Sequence, residues 1–350
     1  MTGVRTQLRS PSGGAARGAT NGVAAFLRLH AGYLAFAVIV MTIPAYLSNS
    51  YYLSVLSFAA TRFMMALGIS LLLGQAGQIS LGQAAFVGIG AYGSGILTTA
   101  LGFDPWVAMI VSAVLAAAIA GLVGIPTLKL KGYYLAMATL GINEIIYILL
   151  VQLKSLTKGT DGMTGIPSLS IGGLDLSGPR AYHLIAWGVA LLMFRVALNL
   201  SSSRVGRSLR AVRLSEPAAE SLGVDSSYRK VQIFMVAAVF ASIAGSFDAY
   251  HVNFISPDGY TITFSIILIT GVIIGGLRSL WGALWGTLVI VILPELLDRV
   301  NEDLTNLVFG VLLIAIMVLS GNRNLDLRRR VRGLWPRRPG PDGHHPEQEE

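Results

Sequence analysis

The side chains with the most to offer chemically in this sequence are amides rather than acids or nucleophiles. Gly74-Gln-Ala-Gly-Gln-Ile-Ser-Leu-Gly-Gln83 sets three glycines, three glutamines and a serine inside an otherwise apolar stretch. Glutamine both donates and accepts hydrogen bonds, and glycine lets the backbone leave a helix. In a membrane such a segment must face protein or a watery cavity, because unsatisfied amides are costly in hydrocarbon. Gln75, Gln78, Ser80 and Gln83 are therefore candidates to line the path of a polar solute, which uncharged amides can follow without trapping. Close helix packing is the rival reading, and Gly88, Gly90, Gly93 and Gly95 just beyond would serve it. Asn143 is the next candidate. It and Glu144 lie more than two turns into the apolar run opened by Lys131-Gly-Tyr-Tyr. A carboxylate at that depth is expected to face the bundle, as an interhelical hydrogen bond or a proton-coupling group.

Other chemistries are poorly supplied. The chain has no cysteine and five histidines, two of them (His344, His345) in the tail. There is no HExxH and no GxxxxGK[ST]. No residue is assigned a catalytic or metal-binding role, and no cofactor is expected on this chain. If ATP is used, another chain binds it.

The elements that must hold these residues are membrane helices. Of 350 residues, 53% are hydrophobic and only 13% charged, against about 25% charged in a soluble domain. A water-soluble enzyme is excluded on that ground. Charge-poor runs approach the ~20 residues needed to cross a ~30 Å hydrocarbon core. They fall near 31–47, 52–73, 83–101, 106–126, 133–152, 181–200, 231–250, 263–278, 282–298 and 304–320. The expected class is an all-α polytopic membrane protein of about ten transmembrane helices. Its organisation is a cytoplasmic segment 1–30, a membrane domain 31–320 and a basic cytoplasmic tail 321–350. Five spans on either side of residue 152 permit a 5+5 inverted repeat, with 74–83 and 251–262 as its irregular segments.

Charge sets the orientation. Lys and Arg gather in 1–30, at Lys129 and Lys131, in the 201–230 loop and in the tail, while the other side receives Lys154, Lys158, Arg180 and Arg299. The positive-inside rule then places both termini in the cytoplasm. The same bias accounts for the net charge of +8 without nucleic acid. Arg195 can snorkel to the headgroups. Arg62, mid-span, either faces protein or marks a span that starts later.

The 201–230 loop reads as a basic helix beside a short amphipathic one. Ser215 is placed to cap the second, Pro217 is tolerated in its first turn, and Gly223 suits its end. With Ala218, Ala219 and Leu222 as an apolar side, this hairpin could dock a soluble partner; a solvated loop that fixes topology or binds anionic lipid is the alternative. The outer loop at 153–180, with its Asp161-Gly162 turn, could gate the entrance or meet a delivery protein, or be a plain connection.

Several segments resemble the branched-chain amino acid ABC transporter permeases, and among them the LivM-like subunit. They are Gly77-Gln-Ile-Ser-Leu-Gly-Gln-Ala-Ala-Phe-Val-Gly-Ile-Gly-Ala-Tyr92, Lys131–Glu144, Thr160-Asp-Gly-Met-Thr-Gly-Ile-Pro167, Gly206–Arg213, Ala218–Val224 and the Phe264–Leu297 region. The resemblance implies an importer subunit in the bacterial cytoplasmic membrane. It pairs with a homologous second permease, two cytoplasmic ATPases that hold ATP and Mg, and an extracytoplasmic solute-binding protein. It also implies that the 201–230 loop is the ATPase-coupling segment, with Arg210, Glu216, Ala219, Glu220 and Gly223 at its core. Gln83 stands where a histidine is common in the family, Lys158 precedes the Thr-Asp-Gly turn, and Pro217 alters the coupling segment. Urea, short amides or other amino acids therefore stay open as solutes. A secondary transporter or channel for a small polar solute is the rival class.

Overall fold

The computed structural model describes residues 31–47, 49–130, 132–171, 174–176, 178–277 and 279–298. The expected tenth span at 304–320, the segment 1–30 and the tail 321–350 lie outside them. Each of the first nine expected spans overlaps a helix: α1 (Ala31–Tyr46), α2 (Ser50–Ile69), α3 (Gln83–Thr99), α4 (Pro105–Thr127), α5 (Tyr133–Gln152), α7 (Pro179–Ser202), α10 (Ser226–Val252), α11 (Ile262–Gly275) and α12 (Leu280–Asp298). The short helices α6 (Lys154–Thr157), α8 (Arg204–Leu214) and α9 (Glu216–Ser221) lie in the loops. Among the described residues, five helices are long and apolar enough to cross a membrane. This is a polytopic, all-α membrane protein.

Local chemistry sets the helix starts. Asn49, Asp104 and Asp225 accept from the backbone N–H of Tyr51, Trp106 and Tyr228, the usual side-chain satisfaction of orphan donors. Pro105 and Pro179 begin α4 and α7, where a missing N–H costs nothing.

α3 and α10 form the centre. A Cβ on Gly90 would strike the Ser242 backbone, and one on Gly245 the Val87 backbone, so these two helices touch main chain to main chain. The Ser246 hydroxyl fastens the crossing through the Gly90 carbonyl at 3.0 Å. Small residues allow such approach where no hydrophobic force drives helices together in lipid. Gly271 and Gly275 on α11 meet Gly286 and Gly282 on α12 in the same way.

One span is shorter than expected, one expected orientation is overturned, and one open alternative is decided. α11 has 14 residues, which at 1.5 Å each span ~21 Å, less than the ~30 Å of a hydrocarbon core. Gly276, at φ 106°, breaks it before the expected end. Glu144 lies on the exposed face of α5, beside exposed Ile145 and Ile148, instead of facing the bundle; Asn143, one residue earlier, takes the inward position. Arg62 faces protein. Its guanidinium meets Asp248 of α10 at 3.2 Å and the Phe264 ring of α11 at 4.8 Å, and α2 runs uninterrupted through it.

At the end remote from α8 and α9, the loop at 153–180 is structured. β1 (Met163–Thr164) pairs antiparallel with β4 (Phe254–Ile255), and β2 (Ser170–Ile171) with β3 (Leu174–Asp175). Asn253, at φ 58°, ends α10 and donates to the Ile166 carbonyl at 2.8 Å.

Candidate functional site

The amide-rich segment is an interrupted helix. The last residues of α2's rod, Ser70–Ala76, wind as a π-helix that Gly77 stops at φ 69°. Gln78 N–H closes back on the Leu72 carbonyl at 3.1 Å. A Cβ on Gly77 would sit 2.8 Å from Arg213 Cγ, so both the left-handed backbone and the close neighbour require glycine there. Residues 77–82 run outside regular helix before α3 begins. π-turns are rare and concentrate at functional sites.

The start of α3 has no side-chain cap of its own, since Gly82 occupies the cap position. Its orphan donors are satisfied from other helices. Leu81 N–H reaches Thr139 Oγ1 of α5 at 3.0 Å, Ala84 N–H reaches Ser265 Oγ of α11 at 2.9 Å, and Ala85 N–H reaches Asn143 Oδ1 of α5 at 2.8 Å. Asn143 also donates to the Tyr260 carbonyl at 3.5 Å. It thus joins the start of α3 to the 3₁₀ turn Pro257–Tyr260 that precedes α11. Ser265→Ala is expected to cost about 1 kcal/mol, as for loss of a helix cap, and to lower the thermal midpoint of the purified protein by a few degrees.

Gln75, Gln78, Ser80, Gln83 and Asn143 are all buried, at 5%, 4%, 7%, 1% and 0% exposed in that order. Gln83 Nε2 donates to the Ala237 carbonyl at 3.0 Å. Its Oε1, and both amide atoms of Gln78, are buried with no hydrogen-bond partner among the described residues. Native interiors leave few such atoms, and each asks for water or a ligand.

Two arginines tie this segment to the α8–α9 hairpin. Arg210 donates to Gln75 Oε1 at 3.0 Å and to the Ser201 carbonyl at 2.7 Å. Arg213 donates to the Gly74 carbonyl, inside the π-turn. Arg213 was not among the sequence candidates. Its signal was the i, i+3 spacing of Arg207, Arg210 and Arg213, which stacks cations on one side of a helix.

The hairpin is braced from below. Lys230 of α10 pairs with Glu216 at 2.6 Å, and the Ser226 hydroxyl donates to Glu216 at 3.0 Å and to Glu220. Ala219 is 2% exposed, whereas Leu214 and Leu222 are 87% and 83% exposed. Gly223 takes φ 80° at the end of α9 as expected. Ser215 holds the cap position of α9 but makes no side-chain cap bond. Pro217 in the first turn removes one of the N–H groups a cap would receive.

This arrangement, an exposed hairpin wired to an amide-rich break in a helical membrane protein, sits within a segment with known relatives. A family model described as branched-chain amino acid transport system / permease component matches residues 51–317. The chain belongs to that family. The high-affinity branched-chain amino acid transport system permease protein LivM of Escherichia coli K12 is 30% identical over 289 residues, covering 76% of this chain and 68% of that protein. The corresponding LivH of the same strain is 24% identical over 288 residues, covering 75% and 91%. The solved structure of PsaBC from Streptococcus pneumoniae in complex with Fab aligns at a TM-score of 0.44 and 14% identity, covering 81% of this chain and 95% of that one. The matched span of this permease includes the π-turn, the hairpin and every candidate residue discussed above.

Proposed function

We propose that this chain is the permease subunit of an ATP-binding-cassette importer for branched-chain amino acids, resident in the bacterial cytoplasmic membrane. The observation that carries the reading is the pair of arginines, Arg210 and Arg213, joining the exposed hairpin to the π-turn at Gly74 and Gln75. An ATPase seated on α8 and α9 then acts directly on the polar segment. ATP and Mg belong to two such partner subunits. Displacing the hairpin pulls the π-turn, a rare form found mostly at functional sites. Gln75, Gln78, Ser80, Gln83 and Asn143 line the solute's path, and the unpartnered amide atoms of Gln78 and Gln83 are what a passing solute or water would satisfy.

Partner surfaces follow from exposure. A carboxylate facing lipid is costly, so the Glu144 face of α5 is assigned to a homologous second permease subunit. The β1–β4 end receives the solute-binding protein. Ten crossings, with 304–320 as the last, put both termini in the cytoplasm. The irregular segments 74–83 and 251–262 serve as the paired breaks of a 5+5 inverted repeat.

In this reading Leu214 and Leu222 are the surface the ATPase covers, while Glu216 and Glu220 hold the hairpin to α10. Burying a leucine contributes about 1.5–3 kcal/mol. Leu222→Glu combined with Leu214→Glu is expected to weaken ATPase association at least tenfold in co-purification, with unchanged insertion. Glu216→Lys, set against Lys230, uncouples by loosening the hairpin.

The deciding experiment reconstitutes the chain with its neighbouring gene products and measures solute-stimulated ATP hydrolysis and uptake. Leucine, isoleucine and valine are expected to stimulate both. Stimulation by urea, acetamide or another amino acid instead would reassign the solute. Uptake that needs a proton gradient and no ATPase, or flux with no nucleotide, would overturn the importer reading.

A further inference from the structure

The start of α3 is held by a segment that also reaches the far end of the protein. Residues 257–265 run from the 3₁₀ turn directly into the first turn of α11. They meet the start of α3 through two hydrogen-bonded links. Ser265 Oγ accepts from Ala84 N–H at 2.9 Å. The Tyr260 carbonyl accepts from Asn143, whose Oδ1 takes Ala85 N–H at 2.8 Å. The Tyr260 ring adds a packing contact, since a Cβ on Gly88 would sit 3.2 Å from Tyr260 Cγ. Asn143 borders the proposed path, yet both ends of its amide are committed to backbone, and it and Ser265 are fully buried. A buried polar group that parts from its partner has no water to turn to. The motion of least cost is therefore one in which the 3₁₀ turn and the start of α3 shift together.

The same segment continues in both directions. Toward the far end, only Ser256 separates the turn from β4, and β4 pairs with Met163–Thr164 of the 153–180 loop. Toward the hairpin, the start of α3 is preceded by residues 77–82 and the π-turn, where Arg213 donates to the Gly74 carbonyl. Main chain and hydrogen bonds thus join the β1–β4 pair at one end to the hairpin at the other. Thr139 stands outside this route. It accepts from Leu81 N–H at 3.0 Å and donates to the Ala136 carbonyl of its own helix, so it ties the break to α5 and not to the far end.

We propose that Ser265 and Asn143 are positioning residues that report the state of the β1–β4 end to the hairpin. A protein docked on that end shifts the 3₁₀ turn, the turn carries the start of α3 with it, and the π-turn passes the shift to Arg213. The proposal rests on the reading above, in which the solute-binding protein docks on the β1–β4 end and an ATPase on the hairpin. Packed and hydrogen-bonded elements carry coupling of this kind, and its usual size is about 5- to 150-fold.

The test follows ATP hydrolysis by the complete complex in proteoliposomes against rising amounts of leucine-loaded binding protein. Ser265→Ala is expected to keep the basal rate and the half-saturating concentration of binding protein. Its stimulation is expected to fall about fivefold or more, the lower end of such couplings. Ser265→Thr, which restores a hydroxyl, should recover most of the stimulation. Thr139→Val removes a comparable hydrogen bond at similar volume and measures general loosening. It is expected to lower the thermal midpoint about as much as Ser265→Ala does and to leave stimulation intact. Stimulation unchanged in Ser265→Ala overturns the proposal, as does an equal loss in Thr139→Val. A wild type that loaded binding protein does not stimulate overturns it too. Leucine uptake that still requires ATP would then leave the importer reading standing, whereas uptake without ATP defeats that reading as well.

Discussion

Arg213→Ala is expected to abolish coupling: ATP hydrolysis by the reconstituted complex continues, and leucine uptake falls at least tenfold. The guanidinium donates to the Gly74 carbonyl within the π-turn, and a hydrogen bond from a charged donor contributes about 1.5–3 kcal/mol. That range corresponds to roughly a 10- to 150-fold shift in any equilibrium it biases. The hairpin itself stays braced by Lys230, Glu216 and Ser226, so the ATPase contact is expected to survive. Arg213→Lys keeps the charge but not the fork of donors and should recover part of the uptake. Arg210→Ala, which frees Gln75, should produce a milder loss, because Gln75 is itself a flexible side chain while the Gly74 carbonyl is part of the main chain. Uptake and hydrolysis falling together in Arg213→Ala would show that the link is not the route of the stroke. Uptake per ATP, measured in proteoliposomes, separates the two outcomes.

The second large effect is on assembly. Asp248→Leu is expected to destabilise the protein by about 3–5 kcal/mol, the cost of leaving one member of a buried ion pair unpartnered. Arg62 and Asp248 are 23% and 16% exposed at the side chain, and Arg62 lies mid-way along α2 with the Phe264 ring against it. A lone arginine there faces apolar surroundings. Arg62→Met combined with Asp248→Leu should recover most of the loss, since a buried pair replaced by apolar groups of similar volume is often neutral. The readout is the yield of monodisperse protein and its thermal midpoint across the four members of the double-mutant cycle. Full additivity of the two single effects would mean the side chains do not interact energetically.

Glu144 and Arg62 show where reading the sequence stops. Both are charges in apolar runs, and hydropathy sees them alike. Whether such a residue points inward is fixed by helix rotation, about 100° per residue, and a one-residue error exchanges Asn143 for Glu144. Arg62 finds its partner 186 positions away on α10, and linear spacing carries no signal for that. Arg213 was missed for the same reason: its own helix announces a cation stripe, while the carbonyl it holds belongs to the π-turn that follows α2.

The sequence by itself determined the class. Its hydropathy, its Lys and Arg bias and the Gly-Gln-Ser break at 74–83 define membrane helices, an expected orientation and a polar interruption, because lipid penalises charge and open backbone without regard to distant contacts. It also supplied the glycines, whose lack of a Cβ is a property of the residue and not of its surroundings. Only the tertiary structure decided what the interruption touches. The caps on α3 come from α5 and α11, the arginines reach in from α8, and the Gln78 amide is buried with no partner among the described residues. Hydrogen bonds act over about 3 Å, so these relations exist only once helices far apart in the chain have been packed side by side.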